Sequence, residues 1–234
     1  EGIDAYRNWN TFTGLDEPRA RFNKEGVLWM PGSDRKWADK ECARMQRFGI
    51  ASTVLDDFEM HERFPSMSTC ILAPDFETGE AHACQSGSRN LLELDGGYVD
   101  PVAAAQDLVD ACRGKGVDIC FKTRVIDIAT QGGHVESISM ENGDSITTPL
   151  LINASGPWCR QMFDLLNFSS GWDLKPVRIQ VLYRDRPAEL NGHIPITVDM
   201  EGGIYFRTQN RGQQLLLGSV LEEELRFQGV LAAM

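Results

Sequence analysis

The chain has 234 residues, 42% hydrophobic and 24% charged, which is enough apolar material for a real core and argues against disorder. Its net charge of −11 repels phosphate backbones and anionic lipid and sets aside nucleic acid and membrane surfaces as partners. No apolar run approaches the roughly 20 residues that cross a bilayer, and the six cysteines form neither Cys-x-x-Cys nor a Cys/His cluster, so a metal site and a thioredoxin-like motif are set aside too.

The first residues, Glu1 to about Trp9, read as the end of a helix, followed by a loop from Thr11 to Asn23. Val27–Met30 is a short apolar strand closed by Pro31-Gly32. Asp34 is placed to cap a helix reaching Phe48, with Ala38, Cys42, Met45 and Phe48 on one face and Gly49 as its stop. A strand is expected over Ser52–Leu55 and a short helix over Asp56–Phe64, ended by Pro65. Residues 66–94 read as short strands and loops. Asp100 followed by Pro101 starts a helix whose apolar face is Ala105, Leu108, Val109 and Cys112, and Lys115-Gly116 ends it.

Strands are then expected at Val117–Phe121, Arg124–Ala129 and His134–Met140, the last two joined by Gly132-Gly133. Asn142-Gly143 signals a hairpin before Ser145–Thr148. Leu150-Leu151-Ile152 is wholly apolar and suits a strand buried on both faces of a parallel sheet. It runs into Asn153-Ala154-Ser155-Gly156-Pro157-Trp158 and a helix to about Leu166. Strands follow at Val177–Tyr183, Ile194–Asp199, Ile204–Arg207 and Gln213–Ser219. The fold class is therefore mixed α/β and α+β, with an α/β middle and antiparallel flanks. Cys42 and Cys112 fall on apolar helix faces, which suits buried free thiols in a reducing, cytoplasmic compartment. The histidines at 61, 82, 134 and 193 are scattered and take no role, and the tryptophans at 9, 29, 37 and 172 read as core or interface residues.

One ordered set of residues carries chemistry. It runs Gly96-Gly97-Tyr98-Val99-Asp100-Pro101, a helix, Gly116-Val117, Thr123-Arg124-Val125 and then Asn153-Ala154-Ser155-Gly156-Pro157-Trp158. A strand feeding a turn of small residues lets a ligand approach the backbone closely, outside the carboxyl end of the strand. This set resembles the D-amino-acid oxidase family of FAD-dependent oxidoreductases, which includes glycine and sarcosine oxidases, dimethylglycine dehydrogenase and D-amino-acid dehydrogenases. Pro176-Val177-Arg178-Ile179-Gln180, Gly203-Ile204-Tyr205-Phe206-Arg207 and Leu217-Gly218 agree with that family's substrate-lobe strands.

The resemblance implies a Rossmann-like FAD lobe interleaved with an antiparallel-sheet substrate lobe. Residues 1–24 and 95–172 would belong to the first, and 25–94 and 173–234 to the second. It further implies that Ala154, Ser155 and Gly156 lie against FAD, that Val125 meets its adenine end through the main chain, and that Trp158 packs nearby. Period two puts Tyr205 and Arg207 on one face of their strand, and Arg178 and Gln180 on one face of theirs; such a face is either solvated or, if it looks at the flavin, would hold a substrate carboxylate through the Arg with a hydrogen bond from the Tyr hydroxyl. No catalytic acid or base is named. The substrate would be a small amine or amino acid, with oxygen or a quinone taking the electrons.

The chain departs from the family in having no Gly-x-Gly-x-x-Gly, whose helix N-terminus receives the pyrophosphate. Together with its abrupt ends, this reads as an internal fragment that is inactive and binds FAD weakly by itself. Two other readings stay open. One is a different flavin dehydrogenase on the same scaffold, resembling glycerol-3-phosphate dehydrogenase, whose phosphate would use Arg178, Arg184, Arg186 and Arg207. The other is a non-catalytic partner subunit that has lost FAD.

Overall fold

The computed structural model describes residues 2–220 except 74, 76, 77, 81, 172–175, 177 and 178; Arg178, Trp172 and the start of the strand expected at Val177 therefore lie outside the described residues. In chain order the elements are α1 (Gly2–Arg7), α2 (Trp9–Thr13), β1 (Asn23–Lys24), β2 (Val27–Met30), α3 (Trp37–Arg47), β3 (Ser52–Leu55), α4 (Asp57–Arg63), β4 (Asn90–Glu93), β5 (Gly97–Tyr98) and α5 (Pro101–Gly114). Then come β6 (Val125–Gln131), β7 (His134–Met140), β8 (Ser145–Thr147), a 3-10 turn (Gly156–Trp158), α6 (Cys159–Leu165), β9 (Val181–Asp185), β10 (Ile196–Asp199), β11 (Ile204–Gln209) and β12 (Gln214–Ser219). They form two compact units, one of residues 1–111 with 179–234 and one of residues 112–178.

The first unit is built on a seven-stranded sheet in the order β3-β4-β2-β10-β11-β12-β9, antiparallel except where β10 runs parallel to β2. Period-two alternation sends successive residues to opposite faces. Leu28, Leu55 and Leu92 pack with Met60 and Phe64 of the α4 region. Trp29, Val54 and Leu91 pack on the other face with Ala38, Cys42 and Met45 of α3. This end of the sheet is thus covered by a helix on each side.

Asp56 starts α4 with a capping box. Its carboxylate accepts the Glu59 N–H at 2.9 Å, and Glu59 Oε2 accepts the Asp56 N–H at 3.1 Å. Asp56→Ala is expected to lower stability by about 1 kcal/mol in urea unfolding, the usual cost of a lost cap. Asp57, one residue on, holds the far end of the long loop before β4, accepting the N–H groups of Gly87 (2.5 Å) and Ser88 (2.9 Å).

A second cluster in this unit is centred on a charge. The Asp107 carboxylate of α5, wholly buried, accepts the indole N–H of Trp9 at 2.9 Å and the main-chain N–H groups of Arg19 (3.0 Å) and Ala20 (2.8 Å). Beside it β1 and β5 pair so closely that a side chain on Gly97 would stand 2.2 Å from the Asn23 carbonyl oxygen, so only glycine fits there.

The second unit holds the antiparallel sheet β6-β7-β8, with Ile128, Ile138 and Ile146 in line across it. Gly132 and Gly133, at φ 60° and 82°, make the two-residue turn that this left-handed geometry demands.

Five expectations are corrected. Helix α2 continues through Thr13, where a loop was expected from Thr11, and Gly14 closes it in the left-handed conformation. Phe48 is 73% exposed, because α3 stops at Arg47 and the next residue swings off its buried face. Helix α5 buries Ala104, Asp107 and Ala111, not Ala105, Leu108, Val109 and Cys112, because the Asp107 hydrogen bonds fix its rotation. Val117–Phe121 is not a strand; the Val117 N–H bonds back to Cys112 O, and the chain turns at Lys122 with φ 54°. Leu150–Ile152 is not a strand either, and Leu150 and Ile152 are 70% and 78% exposed. A strand buried on both faces needs neighbours, and none of the described strands pairs with this run.

Candidate functional site

In the second unit the backbone after Leu150–Ile152 turns sharply, and Asn153 fixes the turn. Its side-chain oxygen accepts the Ser155 N–H at 3.2 Å and the Ser155 hydroxyl at 2.6 Å, while its amide donates to Cys159 O at 3.0 Å. The turn is thereby tied to the first residue of α6. Asn153 is not among the residues singled out from the sequence for a site role, although an Asn two residues before a Ser is a known side-chain-to-backbone turn signal.

A cavity of about 580 Å³ opens beside this turn, within the usual range for small-molecule sites. Val125, Ala154, Ser155 and Trp158 all line it, so the structure brings together residues that lie about 30 positions apart in sequence. Arg124, Asn153, Gln161 and Met162 line it as well. Trp158 offers a ring 63% exposed. Gly156 is not a lining residue; it starts the 3-10 turn at φ 53°, with open space where a side chain would stand. The wall at Val125 carries a register shift between Val125 and Asp127, a bulge that interrupts the ladder next to the cavity. The residues fit a long polar ligand lying on small side chains and main chain, with Arg124 as a cation and Trp158 as an aromatic face.

In the first unit, Tyr205 and Arg207 alternate with Phe206 on β11 and share one face of the sheet. The Tyr205 ring lies across Gly218 of β12, where any side chain would collide with it at 2.4 Å. The Arg207 guanidinium stacks on the Tyr98 ring with 3.9 Å to its centroid, and it donates to Thr208 O at 3.0 Å and to the Gln209 side-chain oxygen. Tyr98 belongs to the Gly-Gly-Tyr-Val-Asp-Pro segment, and its stacking on Arg207 was not legible from spacing. Arg186 is engaged by the carbonyls of Leu190, Gly192 and Gly212, which leaves it poorly placed for a substrate phosphate. Among the described residues no cluster of His, Cys, Asp and Glu is arranged to hold a metal, and no helix is long and apolar enough to cross a membrane.

Comparison with known proteins gives three kinds of likeness. A family profile described as FAD dependent oxidoreductase matches residues 1–230. The hydrogen cyanide synthase subunit HcnC of Pseudomonas aeruginosa is 23% identical over 207 residues, covering 87% of this chain and 44% of that protein. Among solved structures, the L-proline dehydrogenase of P. horikoshii superposes with a TM-score of 0.68 at 13% identity, covering 92% of this chain and 52% of the other. The glycine oxidase of Bacillus cereus superposes with a TM-score of 0.64 at 18% identity, also covering 92% and 52%. The chain thus spans about half the length of the proteins it matches.

Proposed function

The chain belongs to the FAD dependent oxidoreductase family, and on that premise we propose that the whole protein oxidises the C–N bond of a small amine or amino acid, of the glycine, N-methylglycine or D-amino-acid type. The observation that carries the reading is the shared cavity lined by Val125, Ala154, Ser155 and Trp158. When bound there, FAD supplies the acceptor for a hydride from the carbon beside the substrate nitrogen, and water hydrolyses the resulting imine. The main chain at Val125 and the small residues Ala154 and Ser155 give the cofactor close backbone contact, and Gly156 makes the turn that presents them.

Arg207 and Tyr205 bind the substrate carboxylate, Arg207 through the donors that its contacts with Thr208 and Gln209 leave over. Arg178, outside the described residues, has the same role. Oxygen or a quinone takes the electrons. The names of the neighbours, a glycine oxidase and an L-proline dehydrogenase, support a small amino acid as substrate. A second reading has specific support: HcnC is by name one subunit of a synthase, which favours a chain that works beside a partner subunit.

The test is anaerobic reduction of the flavin in protein purified from its complete reading frame. Glycine, sarcosine, proline and D-amino acids are offered in turn, with glycerol 3-phosphate as the contrast. Bleaching of the visible flavin band by one of the amines is expected. Bleaching by glycerol 3-phosphate alone would replace the amine reading. A colourless protein that ignores added FAD would move the non-catalytic subunit to the front.

A further inference from the structure

Cys70 lies 12 residues before His82 and belongs to no short motif with it or with Cys84, yet the three meet in the loop between α4 and β4. The Ile71 N–H donates to Gln85 O at 3.0 Å and lays the two arms of the loop side by side. Cys70 Sγ then stands 3.2 Å from His82 Nε2, and Cys84 and the main chain of Leu72 and Gln85 act on the same sulfur. Neither sulfur is sealed off, for Cys70 is half-buried and Cys84 exposed.

We propose that Cys70 and Cys84 form an oxidisable dithiol, in which Cys70 is the nucleophile, His82 holds its proton and Cys84 resolves the product, with a hydroperoxide as oxidant. The His82 hydrogen bond, helped by those from Leu72, Cys84 and Gln85, brings the Cys70 thiol down to about 6, so at neutral pH the sulfur is mainly the nucleophilic thiolate. The Cys84 thiol is pushed the other way by its bond to Cys70 and by partial desolvation, with the negative charges of Cys70 and of Asp57 of α4 adding to the rise. It stays protonated until it is needed. The two sulfurs therefore differ in the sense that an attacking and a resolving thiol require.

The chemistry balances. The Cys70 thiolate attacks the terminal oxygen of the hydroperoxide. The S–O bond forms as the O–O bond breaks, and the His82 proton goes to the departing oxygen as water or alcohol. The sulfur has lost two electrons to the peroxide. Cys84 then attacks Cys70 Sγ, the S–S bond forms, the S–O bond breaks, and the leaving hydroxide takes the Cys84 proton as water. Two thiols and one hydroperoxide give one disulfide, one alcohol or water, and one further water. This inference does not depend on the substrate proposed above.

The experiment is peptide mass mapping of the purified protein. With iodoacetamide at neutral pH, Cys70 is expected to react about tenfold faster than the exposed Cys120. One equivalent of hydrogen peroxide is expected to join the Cys70 and Cys84 peptides with loss of two hydrogens, and dithiothreitol to part them. Cys84→Ser is expected to stop at a Cys70 sulfenic acid that dimedone captures. His82→Gln is expected to slow Cys70 alkylation severalfold at neutral pH but not at alkaline pH. Alkylation of Cys70 no faster than Cys120, or peroxide treatment that leaves Cys70 and Cys84 unlinked, would overturn the proposal using the unmodified sequence alone.

Discussion

Asp107→Ala is expected to lower the stability of the first unit by about 3 kcal/mol or more in urea unfolding, one of the largest losses available in this chain. The carboxylate is fully buried, and its oxygens take the indole N–H of Trp9, the N–H groups of Arg19 and Ala20, and the Arg19 guanidinium at 3.1 Å. The Trp9 and Ala20 donors are themselves buried, and alanine leaves both without an acceptor. Each such orphan costs about 1–3 kcal/mol. Arg19 is half exposed and also pairs with Asp110 at 2.7 Å, so its share is small. Asp107→Asn should recover only part of the loss, because an amide offers one acceptor oxygen where the carboxylate uses two.

The same site sets a pH dependence with a definite sign. Burial pushes the Asp107 carboxyl up, but the N–H groups of Ala20 and Arg19, the indole and the guanidinium together hold it down at about 2, against an ordinary value of 3.8. A group lowered in the folded state adds stability above its unfolded value and loses it as pH falls through the folded one. The shift is worth about 2 kcal/mol, lost between pH ~4 and ~2. Acid unfolding followed by tryptophan fluorescence should show this component in the native sequence and not in Asp107→Ala. A variant as stable as the parent at neutral pH would mean that the apolar contacts of Ala104 with Trp9 and Ala20 seat α5 without the charge.

How much could be read in advance follows from which forces write themselves into local sequence. The strands at Val27–Met30 and Ser52–Leu55 were legible because Leu28/Trp29 and Val54/Leu55 each present one side chain per face, and both faces are apolar here, whereas Leu91/Leu92 follow the same rule inside a stretch that reads only as short strands and loops. Helix starts were legible where a carboxylate caps them, as Asp56 does for α4 and Asp100 does for α5 by accepting the Ala103 N–H at 2.8 Å. Helix α5 shows the limit. It carries apolar residues on more than one side, and hydrophobic spacing cannot say that an aspartate belongs inside, because the donors that make it welcome come from residues 9, 19 and 20. The Leu150–Ile152 run shows a second limit. An apolar triplet announces that it can be buried, but the partner that buries it is a matter of tertiary structure.

The candidate site divides in the same way. The small residues of Ala154-Ser155-Gly156 are visible as a string, and Val125 could be joined to them by resemblance to a family. The Asn153 turn carries a local signal, an Asn two residues before a Ser, but that Arg124 and Gln161 stand around the cavity and that Arg207 rests on Tyr98 depend on distances that no spacing encodes. The meeting of Cys70 with His82 and Cys84 is the extreme case, since each residue taken alone looks like a surface side chain of a loop.

Ala154→Leu is expected to weaken flavin binding at least tenfold in protein from the complete reading frame, with unfolding of the flavin-free protein unchanged. Ala154 lines the cavity and is exposed on its rim, so a larger side chain there has nothing of its own to crowd. Surface changes of this kind usually stay within about 0.5 kcal/mol of the parent. The added isobutyl group instead projects from the turn where the cofactor would meet the backbone, and even a modest steric loss of about 1.4 kcal/mol is a factor of ten in affinity. Ser155→Leu should act in the same direction and also break the hydroxyl bond to Asn153, so its unfolding midpoint should fall as well. Ser145→Leu on the exposed β8 strand serves as the control for added apolar surface. The measurement is the ratio of flavin to protein absorbance after gel filtration, beside a urea unfolding curve. Full occupancy in Ala154→Leu would take the 153–158 turn out of contact with the cofactor. Low occupancy with an intact unfolding curve would place the flavin against that turn, because the substitution changes little else.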